Sequence, residues 1–146
     1  MELEMKENDL TVKDYQRLRT SVGWSILPEQ QIEMALKNSL ITITVRDQEQ
    51  VVGMCRLVGD GCYICYIQDL VILPEYQGSG IGKSMIERVI LYVTQEGLPG
   101  TNITLALFSA MGKEGFYQKQ GFRIRPNDNR GAGMEMILPV HLDTEA

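Results

Sequence analysis

The sequence predicts an α+β fold, with a mixed, mostly antiparallel central sheet of six to seven strands flanked by about four helices. Two observations carry this. Strand-like and helix-like periodicities follow one another in the order β-α-α-β-β-β-α-β-α-β-β. Only one stretch has the form of a parallel crossover, running from "CYIQDLVIL" through a long helix to "NITLALFS". The 146 residues suit one domain, 1–146, and a chain of this size buries roughly 70% of its unfolded surface without disulfides or metal.

The elements follow in order. "MELEMKE" reads as a short first strand. "TVKDYQRLRTSV" reads as a helix, with Asp9 and Thr11 as candidate caps. "PEQQIEMALKN" opens on Pro28 and places Ile32, Ala35 and Leu36 at helical spacing, giving a second helix. "LITITVRD" and "QVVGMCRLVGDG" read as strands, the second ending in the turn "GDG". "CYICYIQDLVIL" is nearly all apolar and reads as a central strand. "GKSMIERVILYVTQEG" is a long helix ending near Gly97, "NITLALFS" a strand, and "KEGFYQKQG" a short helix ended by Gly121. "FRIRP" and "GMEMILPV" read as two last strands joined by the polar loop "PNDNRGAG".

Composition narrows the function. The net charge is −5 and no block of Lys and Arg stands out, which disfavours nucleic acid or an anionic membrane as partner. No apolar run reaches 18 residues, and the start, "MELEMKENDL", is acidic and polar, so a cytoplasmic location is expected. Cys55, Cys62 and Cys65 are an odd set that suits no disulfide framework. "CYIC" has C-x-x-C spacing, but zinc would need two more ligands and His141 is the one histidine, so no metal is expected.

"QGSGIG", residues 77–82, lies between the apolar strand and the long helix. The first N–H groups of a helix have no intrahelical acceptor and carry the positive end of its dipole. Glycines at Gly78, Gly80 and Gly82 let the backbone take positive φ and let an anion come close. The stretch therefore reads as a cradle for a phosphate or pyrophosphate. Three loops compete. The dinucleotide fingerprint G-x-G-x-x-G fails because Lys83 stands where its last glycine belongs. The P-loop is approached by Gly82-Lys83-Ser84, but Gln77 stands at its first glycine. The third pattern is Arg or Gln, two residues, Gly, one residue, then Gly or Ala, and "QGSGIG" matches it.

That third pattern is the pyrophosphate loop of the GNAT superfamily of N-acetyltransferases. "YIQDLVILPEYQGSGIGKSMIERVI" resembles the family's whole strand-loop-helix segment, and "GFYQKQGF" resembles its second motif, FYxKxGF. The resemblance covers residues 66–122. It implies the GNAT fold and a site for acetyl-CoA. Backbone groups of Gln77, Gly78, Ser79, Gly80, Ile81 and Gly82, with Lys83 and Ser84, would hold the pyrophosphate. Leu70, Val71 and Ile72 would pair with the pantetheine arm, Phe116 would lie against the cofactor, and residues 105–111, "LALFSAM", would line the gap for the thioester.

Acyl transfer to an amine needs a proton removed from the nucleophile and one given to the leaving thiolate. The resemblance maps the family's frequent acid onto Tyr117; without the motif, a helical Tyr reads as half-buried packing. The base used by some members is a Glu, and the matching position here is Tyr66. Asp69 is the candidate for positioning the amine or relaying its proton, against a plainer role in a backbone hydrogen bond at a strand bulge. "YIQDLVI" is similar to the strand of glucosamine-phosphate acetyltransferases, with Gln68 in place of their Glu. A helix Asn that relatives use on the cofactor is Ala110 here. Specificity is expected from Tyr15, Trp24, Arg123, Arg125 and residues 127–133, with Trp24 either a wall or a core residue and the two arginines sharing a strand face.

These readings point to an acetyl-CoA-dependent N-acetyltransferase acting on a primary amine of a small molecule by direct attack in a ternary complex. A protein N-terminus or lysine stays open as the acceptor. Two other readings stay open: a non-catalytic acyl-CoA-binding regulatory module, and a nucleotide-binding protein using "GSGIGKS". Relatives dimerise through their C-terminal strands, so a homodimer is an assembly the resemblance allows.

Overall fold

β-branched and apolar alternation builds one five-stranded sheet in the computed structural model, which describes residues 2–142. Its strands are β1 (Leu3–Glu7), β2 (Ile41–Asp47), β3 (Gln50–Gly59), β4 (Ile64–Ile72) and β5 (Thr104–Ala106), in the order β1-β2-β3-β4-β5. The first three pairings are antiparallel and β4–β5 is parallel. The helices are α1 (Val12–Ser21), α2 (Glu29–Lys37), α3 (Ile81–Glu96) and α4 (Glu114–Lys119). The chain divides into two compact units, Met1–Phe108 and Ser109–Ala146, so the sheet and α1–α3 belong to the first and α4 to the second.

Local chemistry sets the helix starts. Thr11 caps α1, its Oγ1 accepting the Asp14 N–H at 3.1 Å. Asp9, the other candidate cap, instead accepts from Thr44 Oγ1 at 2.7 Å and Arg46 Nη2 at 3.1 Å on β2. Pro28, with φ −56°, is the N-cap of α2. The turn into β4 is tied by Asp60, whose Oδ1 accepts the N–H groups of Cys62, Tyr63 and Ile64 at 2.8–3.0 Å. These bonds hold the Asp60 carboxyl down at about 2. β4 consequently begins at Ile64, two residues beyond the expected Cys62.

Strand parity assigns the helices to opposite faces. Arg56 on β3 reaches the Ala35 carbonyl of α2 and Asp69 of β4. Gly53, of opposite parity, sits under α3: a Cβ there would lie 3.3 Å from Ile81 and 3.4 Å from Met85. The buried core is Leu18 and Ile32 from α1 and α2, Ile43, Met54 and Leu57 from the strands, and Met85, Ile86 and Val89 from α3.

One irregularity matters for the site. β3 pairs Met54 with Val71 and then Arg56 with Gln68, so two steps on β3 span three on β4. The extra residue is a bulge, and Asp69 takes φ +60° there. Asp tolerates this left-handed conformation better than most side chains.

Two expectations are corrected at the C-terminal end. "FRIRP" and "GMEMILPV" are not strands, and the sheet has five strands rather than six to seven. A strand is stabilised by a ladder partner and a buried face. Residues 123–142 have neither: Met134, Ile137 and Val140 are 88%, 87% and 93% exposed. Pro126 and Pro139 each remove a ladder donor as well. Arg123 and Arg125 therefore share no strand face; Arg125 Nε instead donates to the Gly131 carbonyl at 2.6 Å. "NITLALFS" shrinks to Thr104–Ala106, because β5 pairs with β4 over three residues only.

Candidate active site

β4 leads into a single 3-10 turn, Pro74–Tyr76, and then into the glycine-rich loop. Gln77 folds back, its Nε2 donating to the Ile72 carbonyl at 2.9 Å, and Ser79 Oγ donates to the Tyr76 carbonyl at 2.6 Å. Gly78 and Gly80 have φ of +82° and +88°, and a Cβ at either would meet nothing within 4 Å. They are therefore required by backbone conformation, not by crowding from the protein. Gly80 is the N-cap of α3, and no side chain caps that helix. The first intrahelical bond runs from the Ser84 N–H to the Gly80 carbonyl at 3.1 Å. The N–H groups of Ile81, Gly82 and Lys83 thus precede the helical ladder, and no acidic residue stands in the first turn to neutralise them. Lys83 is exposed and makes a surface pairing with Glu87 at 3.9 Å. Beside this turn a cavity of about 200 Å³ is lined by Leu3, Met5, Val45, Ser79, Gly80, Ile81 and Ser84. An open loop, an uncapped helix start and an unopposed positive dipole fit a pyrophosphate group.

The second half of the site is an edge. β4 pairs with β5 only at Ile64–Thr104, Cys65–Leu105 and Tyr66–Ala106. Among the described residues, no strand pairs with that edge of β4 from Ile67 to Ile72. Leu70, Val71 and Ile72 lie in this open stretch, directly before the loop. An extended ligand backbone can continue the ladder there.

The bulge carries a charge cluster. Asp69 is 5% exposed, and its carboxylate accepts four side-chain donors. Oδ2 accepts the Tyr15 hydroxyl and Arg56 Nε, the latter at 3.0 Å. Oδ1 accepts Arg19 Nη1 and Gln68 Nε2, both at 3.3 Å. A carboxylate offers about four lone-pair sites, so proton transfer to Asp69 would first require one of these bonds to break. Burial, then the Asp69 bond, pushes the Tyr15 hydroxyl up to about 12, which keeps it a donor. Arg19 also donates to the Ser25 carbonyl at 3.0 Å and lies 5.4 Å from the Trp24 ring. Trp24 is half-buried and stacked on this guanidinium, which places it in the Arg19 cluster and outside the central core. Arg19 and Arg56 were not legible as Asp69's partners: they lie 50 and 13 residues away, and nothing local marks them.

Tyr117 and Phe116 lie on α4 in the second unit. Tyr117 is half-buried, edge-on to Phe116 at 5.0 Å and to Phe122 at 5.9 Å. Phe116 has Tyr117 as its ring neighbour.

Comparison with known proteins gives the family and the fold. The model of the acetyltransferase (GNAT) domain matches residues 38–124. An uncharacterized N-acetyltransferase of Prochlorococcus marinus is 33% identical over 127 residues, covering 84% of this chain and 68% of its own. A histone acetyltransferase of Glycine max is 33% identical over 134 residues, covering 84% of this chain, which spans 56% of that protein's length. Among solved structures, a probable acetyltransferase of meticillin-resistant Staphylococcus aureus superposes with a TM-score of 0.80 at 27% identity, covering 92% of this chain and all 100% of that one. The chain belongs to the GNAT family of acetyltransferases.

Proposed function

We propose that the protein transfers the acetyl group of acetyl-CoA to a primary amine of a small molecule, by direct attack in a ternary complex. The observation that supports this most is the uncapped start of α3, with Gly78 and Gly80 open to approach, next to the unpaired edge of β4. Acetyl-CoA supplies an activated acyl thioester. The chain's part is to hold the pyrophosphate on the N–H groups of residues 78–83 and the pantetheine amides along Leu70–Ile72.

Transfer forms a C–N bond and breaks the C–S bond; the amine gives up a proton and the departing thiolate takes one. Tyr117 is assigned as the acid on its motif resemblance, as an O–H donor on α4. Asp69, with both oxygens engaged, is assigned to positioning: through Arg19 and Tyr15 it holds α1 and the Trp24–Ser25 backbone against the bulge. No helix among the described residues is long and apolar enough to cross a membrane.

The test is an amine screen with acetyl-CoA, followed by Tyr117→Phe on the best acceptor. Loss of a general acid is expected to lower kcat about a hundredfold with little change in KM for acetyl-CoA. Unchanged kcat would remove Tyr117 from the mechanism. Tight CoA binding with no acetylated amine would favour a non-catalytic acyl-CoA-binding module.

A further inference from the structure

The end of the β4–β5 ladder is held by a side chain. Backbone pairing stops at Tyr66–Ala106, yet two residues on, the Phe108 N–H donates to the Tyr66 hydroxyl oxygen at 2.9 Å. The two rings meet edge to face at 5.3 Å, with planes 81° apart. β4 and β5 therefore do not simply fray where they part. The tyrosine reaches from the last paired residue of β4 and ties the chain leaving β5 at Phe108.

We propose that Tyr66 is a positioning residue for the acyl donor: its hydroxyl bond to Phe108 sets the width of the opening between β4 and Leu107–Phe108, where the chain leaves β5. This rests on the acetyl-CoA reading above and deepens it. A main-chain pair at this point would draw the two backbones to ladder distance, near 5 Å, and close the edge. The Tyr66 hydroxyl instead satisfies the Phe108 N–H, so this group has a partner other than a main-chain carbonyl of β4. The bridge lies at the start of the unpaired edge, whereas Gln77–Gly82 lie beyond its far end. Tyr66 should therefore affect the part of the ligand along the edge and not the part in the loop.

The experiment compares wild type and Tyr66→Phe, which keeps the ring and removes only the oxygen. Calorimetry measures binding of CoA and of 3′-phospho-ADP, which keeps the nucleotide and pyrophosphate but lacks the pantetheine arm. Hydrogen exchange follows the amide of Phe108. We expect faster exchange at Phe108, CoA binding weakened about five- to tenfold, the size of one lost hydrogen bond, and 3′-phospho-ADP binding unchanged. Equal weakening of both ligands would show a general structural effect and overturn the proposal. Unchanged CoA affinity in the variant would overturn it too, while leaving the acetyl-CoA reading intact. Failure of wild type to bind CoA would overturn both.

Discussion

Asp69 is the residue on which most of the site's order converges. It sits at φ +60° in the bulge of β4, nearly without solvent, and faces two guanidiniums, a phenol and an amide. Removing its charge would leave Arg19 and Arg56 without their shared partner in partly buried surroundings. We expect Asp69→Asn to destabilise the protein by about 3 kcal/mol or more, read as a lowered urea midpoint. Tyr15→Phe should cost less, about 1 kcal/mol, because the carboxylate keeps its arginines. The Tyr15 hydroxyl is raised from 10.0 to about 12. The unfolded chain therefore releases this proton first as pH rises, and the folded state loses stability between about pH 10 and 12. Part of the alkaline fall in Tm over that window should vanish in Tyr15→Phe; an identical fall in both proteins would contradict the assigned bond. Asp69 was a candidate in the sequence through the resemblance of "YIQDLVI", but its distant partners were not legible. Gln68 is its neighbour on β4, but Tyr15, Arg19 and Arg56 come from α1 and β3, and only the packing of these elements brings them to the carboxylate.

At the scale of elements, α3 and the loop before it were legible because their determinants are local. Two glycines in the left-handed region, an apolar strand before them and helical spacing after them define this strand-loop-helix turn within a short run of chain. Gly80→Ala would place a Cβ on the open face of the cradle and strain φ +88°. We expect CoA affinity to fall about tenfold with the far-UV spectrum unchanged; full affinity would mean the anion lies elsewhere. Gly53 was read simply as part of a strand, yet α3 packs directly over it. Its missing Cβ would lie 3.0 Å from Ile72, 3.3 Å from Ile81 and 3.4 Å from Met85. Gly53→Val should cost about 1–3 kcal/mol by overpacking, visible as a lower Tm. Such close approaches leave no mark in the periodicity of a single strand. The bulge was hidden for the same reason, since it is a mismatch between β3 and β4.

For the whole molecule, the order of elements up to α4 followed from hydrophobic period and turn residues, whereas the last two strands did not form. "GMEMILPV" has strand-like residues, but propensity without a ladder or a buried face does not hold a strand, and its large side chains stand in solvent. Family membership rests on residues 38–124, which contain β2 to β5, the loop and α4. The central claim is that this frame binds an acyl-CoA. Its most direct test is the thermal stability of the purified protein with acetyl-CoA, CoA or magnesium ATP, all at one concentration. At about 100 times its Kd a ligand adds roughly 2.7 kcal/mol, a rise of several degrees for a chain of this size. We expect that rise with both CoA species and none with magnesium ATP. A rise with ATP alone, or none with either CoA species, would contradict the account.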